Sequence, residues 1–288
     1  MTVDNKNNNV PNGEGETSPV DRSVLGSPDD NPYTTIGEAQ KNDDENSGEG
    51  EESKRFSPFE TFVLTCAVLF LFYFISPFIA IATYEYFGLT LDQLDTPEAT
   101  GYSLEIISPI IFTICFFATI GLIKLKGTLT VGEYLRIKKP TGKEVFMWTA
   151  VTLAVLFLEG LIAELAQRPV NQFTLDAYDS SISLVLLLIV LCVFAPLFEE
   201  TLFRGFMLSG MAPKEGCPAS ILVLSAGLWA AIHAQYDYFD GAIVFVSGLV
   251  LGSAYIRTKN LVIPIYMHAL MNLISYIQLL LFAEYFRF

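Results

Sequence analysis

Charge is scarce in this sequence. Only 17% of its 288 residues are Asp, Glu, Lys or Arg, 52% are hydrophobic, and the mean hydropathy is +0.44. Soluble domains carry about 25% charged residues, so this balance excludes an ordinary globular enzyme. Basic residues are the scarcer sign: 17 Lys and Arg stand against 31 Asp and Glu, which argues against nucleic acid as a partner. Cysteine is limited to Cys66, Cys115, Cys192 and Cys217, with no CxxC pair and no framework spacing. That excludes a disulfide scaffold and a zinc-thiolate site; three of the four lie in apolar stretches, where cysteine acts as a small hydrophobe. There is no HExxH helix, so zinc is not the default reading of the two histidines. No secretory leader opens the chain either. The first apolar stretch starts after Phe56, is too long for a leader, and is expected to remain as an anchor.

What is present divides sharply along the chain. Residues 1–55 hold 13 Asp and Glu against 5 Lys and Arg and have hardly an aromatic or branched aliphatic residue. Such a segment cannot bury enough surface to offset its ordering entropy, and it is expected to be a disordered acidic tail. Beyond it lie seven apolar stretches: residues 59–87, 104–123, 145–165, 182–208, 219–233, 242–256 and 261–282. A span needs about 20 largely apolar residues. The expected fold class is therefore all-α, a polytopic transmembrane helical bundle of about seven spans with room for an eighth, re-entrant one. Residues 56–180 are expected to form its N-terminal helices and residues 181–288 the core that carries the polar residues described next. Lys124, Lys126, Arg136, Lys138, Lys139, Lys143, Lys214, Arg257 and Lys259 fall on one side of the spans, while Arg168 and Arg287 fall on the other among seven acids. The positive-inside rule then places the N-terminus in the cytoplasm. In span six, Ser247, Gly248, Gly252 and Ser253 make a small-residue face that reads as close helix packing.

Charged groups inside spans cost roughly 2.5–3.5 kcal/mol each even on the lenient insertion scale, so they call for a role. The fourth stretch carries Glu199, Glu200 and Arg204, the fifth ends at His233, and the seventh carries His268 and Asn272. Glu200 and Arg204 are one helical turn apart and are expected to pair. Glu199 is rotated about 100° from Glu200 and has no local partner, which makes it the working carboxylate. His268 and Asn272 share a helical face and are expected to aim at a common spot. Pro196 should disturb the helix just before the acids. A hairpin folding near Gly216 would bring Glu199 and His233 to one level. A carboxylate beside a histidine holds and deprotonates a water, and a second histidine with an asparagine amide donates hydrogen bonds to an oxyanion. Glu159, in the third stretch, is a lesser candidate, and Trp229 reads as packing.

At these residues the sequence resembles the CPBP family, which comprises type II CAAX prenyl endopeptidases and bacteriocin-processing or self-immunity membrane proteins. Glu199, Glu200 and Arg204 match its Glu-Glu-x-x-x-Arg motif, His233 matches Phe-x-x-x-His with Trp229 in place of the Phe, and His268 and Asn272 match His-x-x-x-Asn. The resemblance covers residues 180–282. It implies an intramembrane endopeptidase, expected to cut near the C-terminus of its substrate. Glu199 and His233 would activate water, His268 and Asn272 would form the oxyanion hole, and Glu200 with Arg204 would support them. The expected partners are the bilayer and a peptide or protein substrate, prenylated or not. No cofactor is expected; zinc is the alternative, since the family was also described as metallopeptidases. The expected setting is an integral membrane one, the plasma (inner) membrane if the host is a prokaryote. A proton-linked transporter and a non-catalytic membrane scaffold or immunity protein are the rival readings.

Overall fold

The structure, a computed structural model, describes residues 54–90, 96–212 and 217–282. Nearly all of the acidic segment expected to be disordered, residues 1–53, lies outside the described residues. The described chain is helical, with no strand among the described residues. The helices are α1 (Pro58–Phe87), α2 (Ala99–Lys126), α3 (Val131–Leu135), α4 (Gly142–Leu165), α5 (Gln172–Asp179), α6 (Leu184–Met211), α7 (Ala219–Ala231), α8 (Tyr238–Thr258) and α9 (Val262–Phe282). Local chemistry sets their ends. Ser57 and Glu60 form a reciprocal cap at the start of α1, as Thr141 and Glu144 do for α4, and Gly88 ends α1 at φ 75°, where a side chain would be strained.

Among the described residues, six helices (α1, α2, α4, α6, α8 and α9) are long and apolar enough to cross a membrane. This is an all-helical integral membrane protein. All seven expected stretches are helical, but the fifth, α7, has only 13 residues. At 1.5 Å per residue it reaches about 20 Å, short of the ~30 Å hydrocarbon core. It starts at Pro218 and stops in the turn where the His233 amide bonds to the Ala230 carbonyl.

Two long helices contain wide turns, each just ahead of a proline. Residues Ser103–Ile107 in α2 and Val190–Phe194 in α6 take π-helical geometry, and Pro109 and Pro196 follow them. A proline lacks the amide that would bond four residues back, and its ring presses on that carbonyl. The four-back residues, Glu105 and Cys192, both lie in the widened turns, so the extra residue relieves the clash. A longer π stretch, Thr201–Leu208, follows in α6 and carries Arg204.

Helix α6 is the axis of the core. Every residue from Phe198 to Gly210 is buried, which a helix in a bilayer achieves only with protein on all sides. It packs on α1, α2, α7 and α9. On α1 and α4, by contrast, Phe70, Phe74, Phe78 and Phe157 are exposed, as suits side chains meeting lipid. Gly205 lies so close to Leu135 and Leu261 that a methyl group would sit 2.7 Å and 3.0 Å from their side chains.

One buried acid escaped the sequence reading. Glu105, in the wide turn of α2, accepts the Ile182 and Ser183 amides at 2.9 and 2.8 Å, just ahead of α6. A carboxylate is well matched to the unpaired amides and positive dipole end of a helix. Glu105→Ala is expected to destabilise the protein by about 1.5–3 kcal/mol, the worth of hydrogen bonds to a charged group. Thermal unfolding in detergent measures this, and an unchanged midpoint would show that the carboxylate does not tie α2 to α6.

Candidate active site

The ionisable residues singled out in the sequence come from α6, α9 and the turn after α7, and form two clusters with Trp229 between them. The first is built on α6. Arg204, with no exposed surface, reaches back one turn, and its Nη1 donates to Glu200 Oε1 at 2.9 Å. Its Nη2 donates to the Gly248 carbonyl of α8 at 3.0 Å, and its guanidinium lies 4.7 Å from the centre of the Trp229 ring. The expected one-turn pair is present. His268 of α9 joins it, donating from Nδ1 to the same Glu200 oxygen at 3.0 Å. The other oxygen, Oε2, has no partner among the described residues.

The second cluster faces a cavity of about 270 Å³. Glu199 and His233 line it together, among the largely apolar side chains of Phe72, Phe112, Phe198 and Ile232. Trp229 Nε1 donates to Glu199 Oε2 at 2.6 Å. The His233 ring donates from Nδ1 to the Trp229 carbonyl at 2.8 Å. Since a carbonyl only accepts, this bond fixes the tautomer and leaves Nε2 as the lone-pair nitrogen of the neutral ring. The Trp229 indole lies edge-on to both histidines, with centroids 4.9 Å from His233 and 5.5 Å from His268.

Asn272 lies apart from both clusters. Its Nδ2 donates to the Leu191 carbonyl at 2.7 Å, inside the wide turn of α6, and it lines a neighbouring cavity of about 240 Å³. The two cavities share Leu104 and Phe173 in their walls. Tyr236 also borders the second, stacked 6.0 Å from His233 and edge-on to Phe173 at 5.9 Å. Burial pushes the Tyr236 phenol above its ordinary range, and the Asp240 and Glu199 carboxylates push it further. It therefore keeps its proton at neutral pH. The structure thus brings Glu199 and His233 together, sets His268 against Glu200, and puts Asn272 in the adjoining cavity. One face of α9 does not deliver both polar tips to one spot, because each is claimed by a different part of α6.

Glu159 accepts from Ser247 Oγ at 2.6 Å and is absent from both cavity walls. The small-residue face of α8 packs as expected: a methyl on Gly248 would sit 2.9 Å from the Trp229 ring and 3.1 Å from Ala226. Trp229 is what sequence reasoning missed. The available signal was its indole N–H, a donor that needs a partner once buried, standing where the motif has phenylalanine.

Among the described residues no three His, Cys, Asp or Glu side chains converge as metal ligands. Arg204 already faces the Glu200 oxygen to which His268 donates. At Glu200 and His268 a dication would therefore meet a cation already in place.

Residues 181–274 match the family model described as type II CAAX prenyl endopeptidase Rce1-like. The matched segment contains α6, α7, α8 and the greater part of α9. It therefore includes every residue of both clusters, in agreement with the resemblance carried by the three motifs. A protein of Escherichia coli described as an uncharacterized 24.3 kDa protein is 32% identical over 127 residues, covering 42% of this chain and 58% of that protein. The chain thus spans little more than half the length of that relative. No solved structure matches.

Proposed function

We propose that this chain is an intramembrane endopeptidase of the type II CAAX prenyl endopeptidase kind, hydrolysing a peptide bond near the C-terminus of a protein or peptide substrate. One observation carries the reading: Glu199 of α6 and His233, in the turn that ends α7, line a single, mostly apolar cavity beside membrane-spanning helices. A carboxylate and an imidazole with a fixed lone-pair nitrogen are what the activation of a water requires. Glu199 takes a proton from that water as its oxygen bonds to the scissile carbonyl carbon and the carbonyl electron pair moves onto oxygen. Collapse of the tetrahedral species reforms the carbonyl and breaks the C–N bond, and the proton held by Glu199 passes to the departing amine. The resemblance gives the oxyanion role to His268 and Asn272; their tips bond to Glu200 and to the Leu191 carbonyl here, so for both to serve one oxyanion Asn272 must turn from Leu191 when substrate binds. Glu200 and Arg204 hold His268 from behind. The loop charges support a cytoplasmic N-terminus. The membrane is the plasma (inner) membrane if the host is a prokaryote, and the substrate is prenylated or not.

Cleavage of a fluorogenic C-terminal peptide by the purified protein tests the reading, alongside His233→Ala. The variant is expected to lose about 10²–10⁴-fold in kcat, the usual worth of acid–base assistance. Equal cleavage by both proteins would remove His233 from the mechanism. Solute flux without cleavage would favour a transporter, and loss of activity on chelation would restore the zinc version.

A further inference from the structure

Trp229 makes a contact that phenylalanine at this position could not. Its Nε1–H donates to Glu199 Oε2 at 2.6 Å, and nothing else among the described residues bonds to that carboxylate. The indole itself has little freedom. Arg204 covers one face, the glycine at 248 lets α8 press against the ring, and the Trp229 backbone carbonyl anchors His233. A donor held this firmly fixes the plane of the carboxylate it binds. With Oε2 occupied, Oε1 is the oxygen left to meet a water in the cavity that Glu199 lines.

We propose that Trp229 is a positioning residue: its indole N–H clamps Glu199 Oε2 and so sets the direction from which Oε1 approaches the reacting water. The role in turnover rests on the peptidase reading; the clamp itself does not. Misplacing a reacting group by about 1 Å costs on the order of 100-fold in rate. Trp229→Phe keeps a ring for Arg204 and the histidines to pack on but removes the N–H. It is expected to lower kcat by about 10- to 100-fold with KM unchanged and the thermal midpoint lowered by no more than the loss of one hydrogen bond. A merely structural tryptophan would show the reverse pattern, a lowered midpoint with kcat retained.

A second arm needs no turnover. The chain has 2 tryptophans, and Trp148 is buried with no partner for its Nε1 among the described residues, so Trp148→Phe costs no hydrogen bond there and leaves Trp229 as the sole indole. In that background, Glu199→Ala is expected to shift the hydrogen-bond-sensitive indole bands of the ultraviolet resonance Raman spectrum towards those of a free N–H. Wild-type kcat in Trp229→Phe, or an unmoved indole spectrum in Glu199→Ala, overturns the proposal. A wild-type chain that cleaves no peptide removes the peptidase reading, and the spectral comparison then decides the clamp on its own.

Discussion

Glu199→Gln is expected to abolish most peptide cleavage, lowering kcat by about 10²–10⁴-fold while the protein stays folded. The substitution suits this site because glutamine has the shape of glutamate and keeps a carbonyl oxygen to accept the Trp229 N–H. Packing and positioning are thereby retained, and only the capacity to take up a proton is lost. Of the two adjacent acids of α6, Glu199 is the one to which no basic side chain bonds: Arg204 and His268 both bond to Glu200. A carboxylate neutralised by a guanidinium is a poor base, whereas one held by a single neutral donor beside a cavity is a serviceable one. Kinetics on the fluorogenic peptide, with thermal unfolding as the control for folding, gives the answer. Activity within a few-fold of wild type would remove Glu199 from the chemistry and return attention to Glu200.

Arg204→Met is expected to be the most destabilising single change in the core. Arg204 and Glu200 are both fully buried, and removing the cation leaves a carboxylate facing only His268. Breaking such a pair from one side costs about 3–5 kcal/mol, because the remaining charge is buried without compensation. The same change removes the donor to the Gly248 carbonyl and the cation over the Trp229 ring, so α6, α7 and α8 all lose a common contact. For a domain of this size the midpoint of thermal unfolding should fall by on the order of 10 °C. The double variant Glu200→Leu/Arg204→Met should recover more than half of that loss, since apolar replacement of both partners of a buried pair is often close to neutral. A single variant with the wild-type midpoint would mean that water or lipid headgroups reach Glu200, contrary to its burial.

The membrane character, the helical fold class and the grouping of the ionisable residues followed from the sequence alone. Their causes are local and additive: apolar length against bilayer thickness, and the cost of each charge against the spans that carry it. The pairing of Glu200 with Arg204 was legible for the same reason, as one turn of helix fixes it. Even the meeting of Glu199 and His233 at one cavity was readable, since the sequence places the two equally far from position 216. The short reach of α7 and the wide turns ahead of Pro109 and Pro196 needed the folded chain. So did the choice of partners: Glu105 for the start of α6, Leu191 for Asn272, Glu200 for His268 and Glu199 for Trp229. Those choices depend on how far each helix is rotated and slid against its neighbours. That is decided by close packing at positions such as Gly205 and Gly248, where one methyl group would shift the register. Sequence periodicity determines which face of a helix is polar; only interhelical packing determines what that face touches.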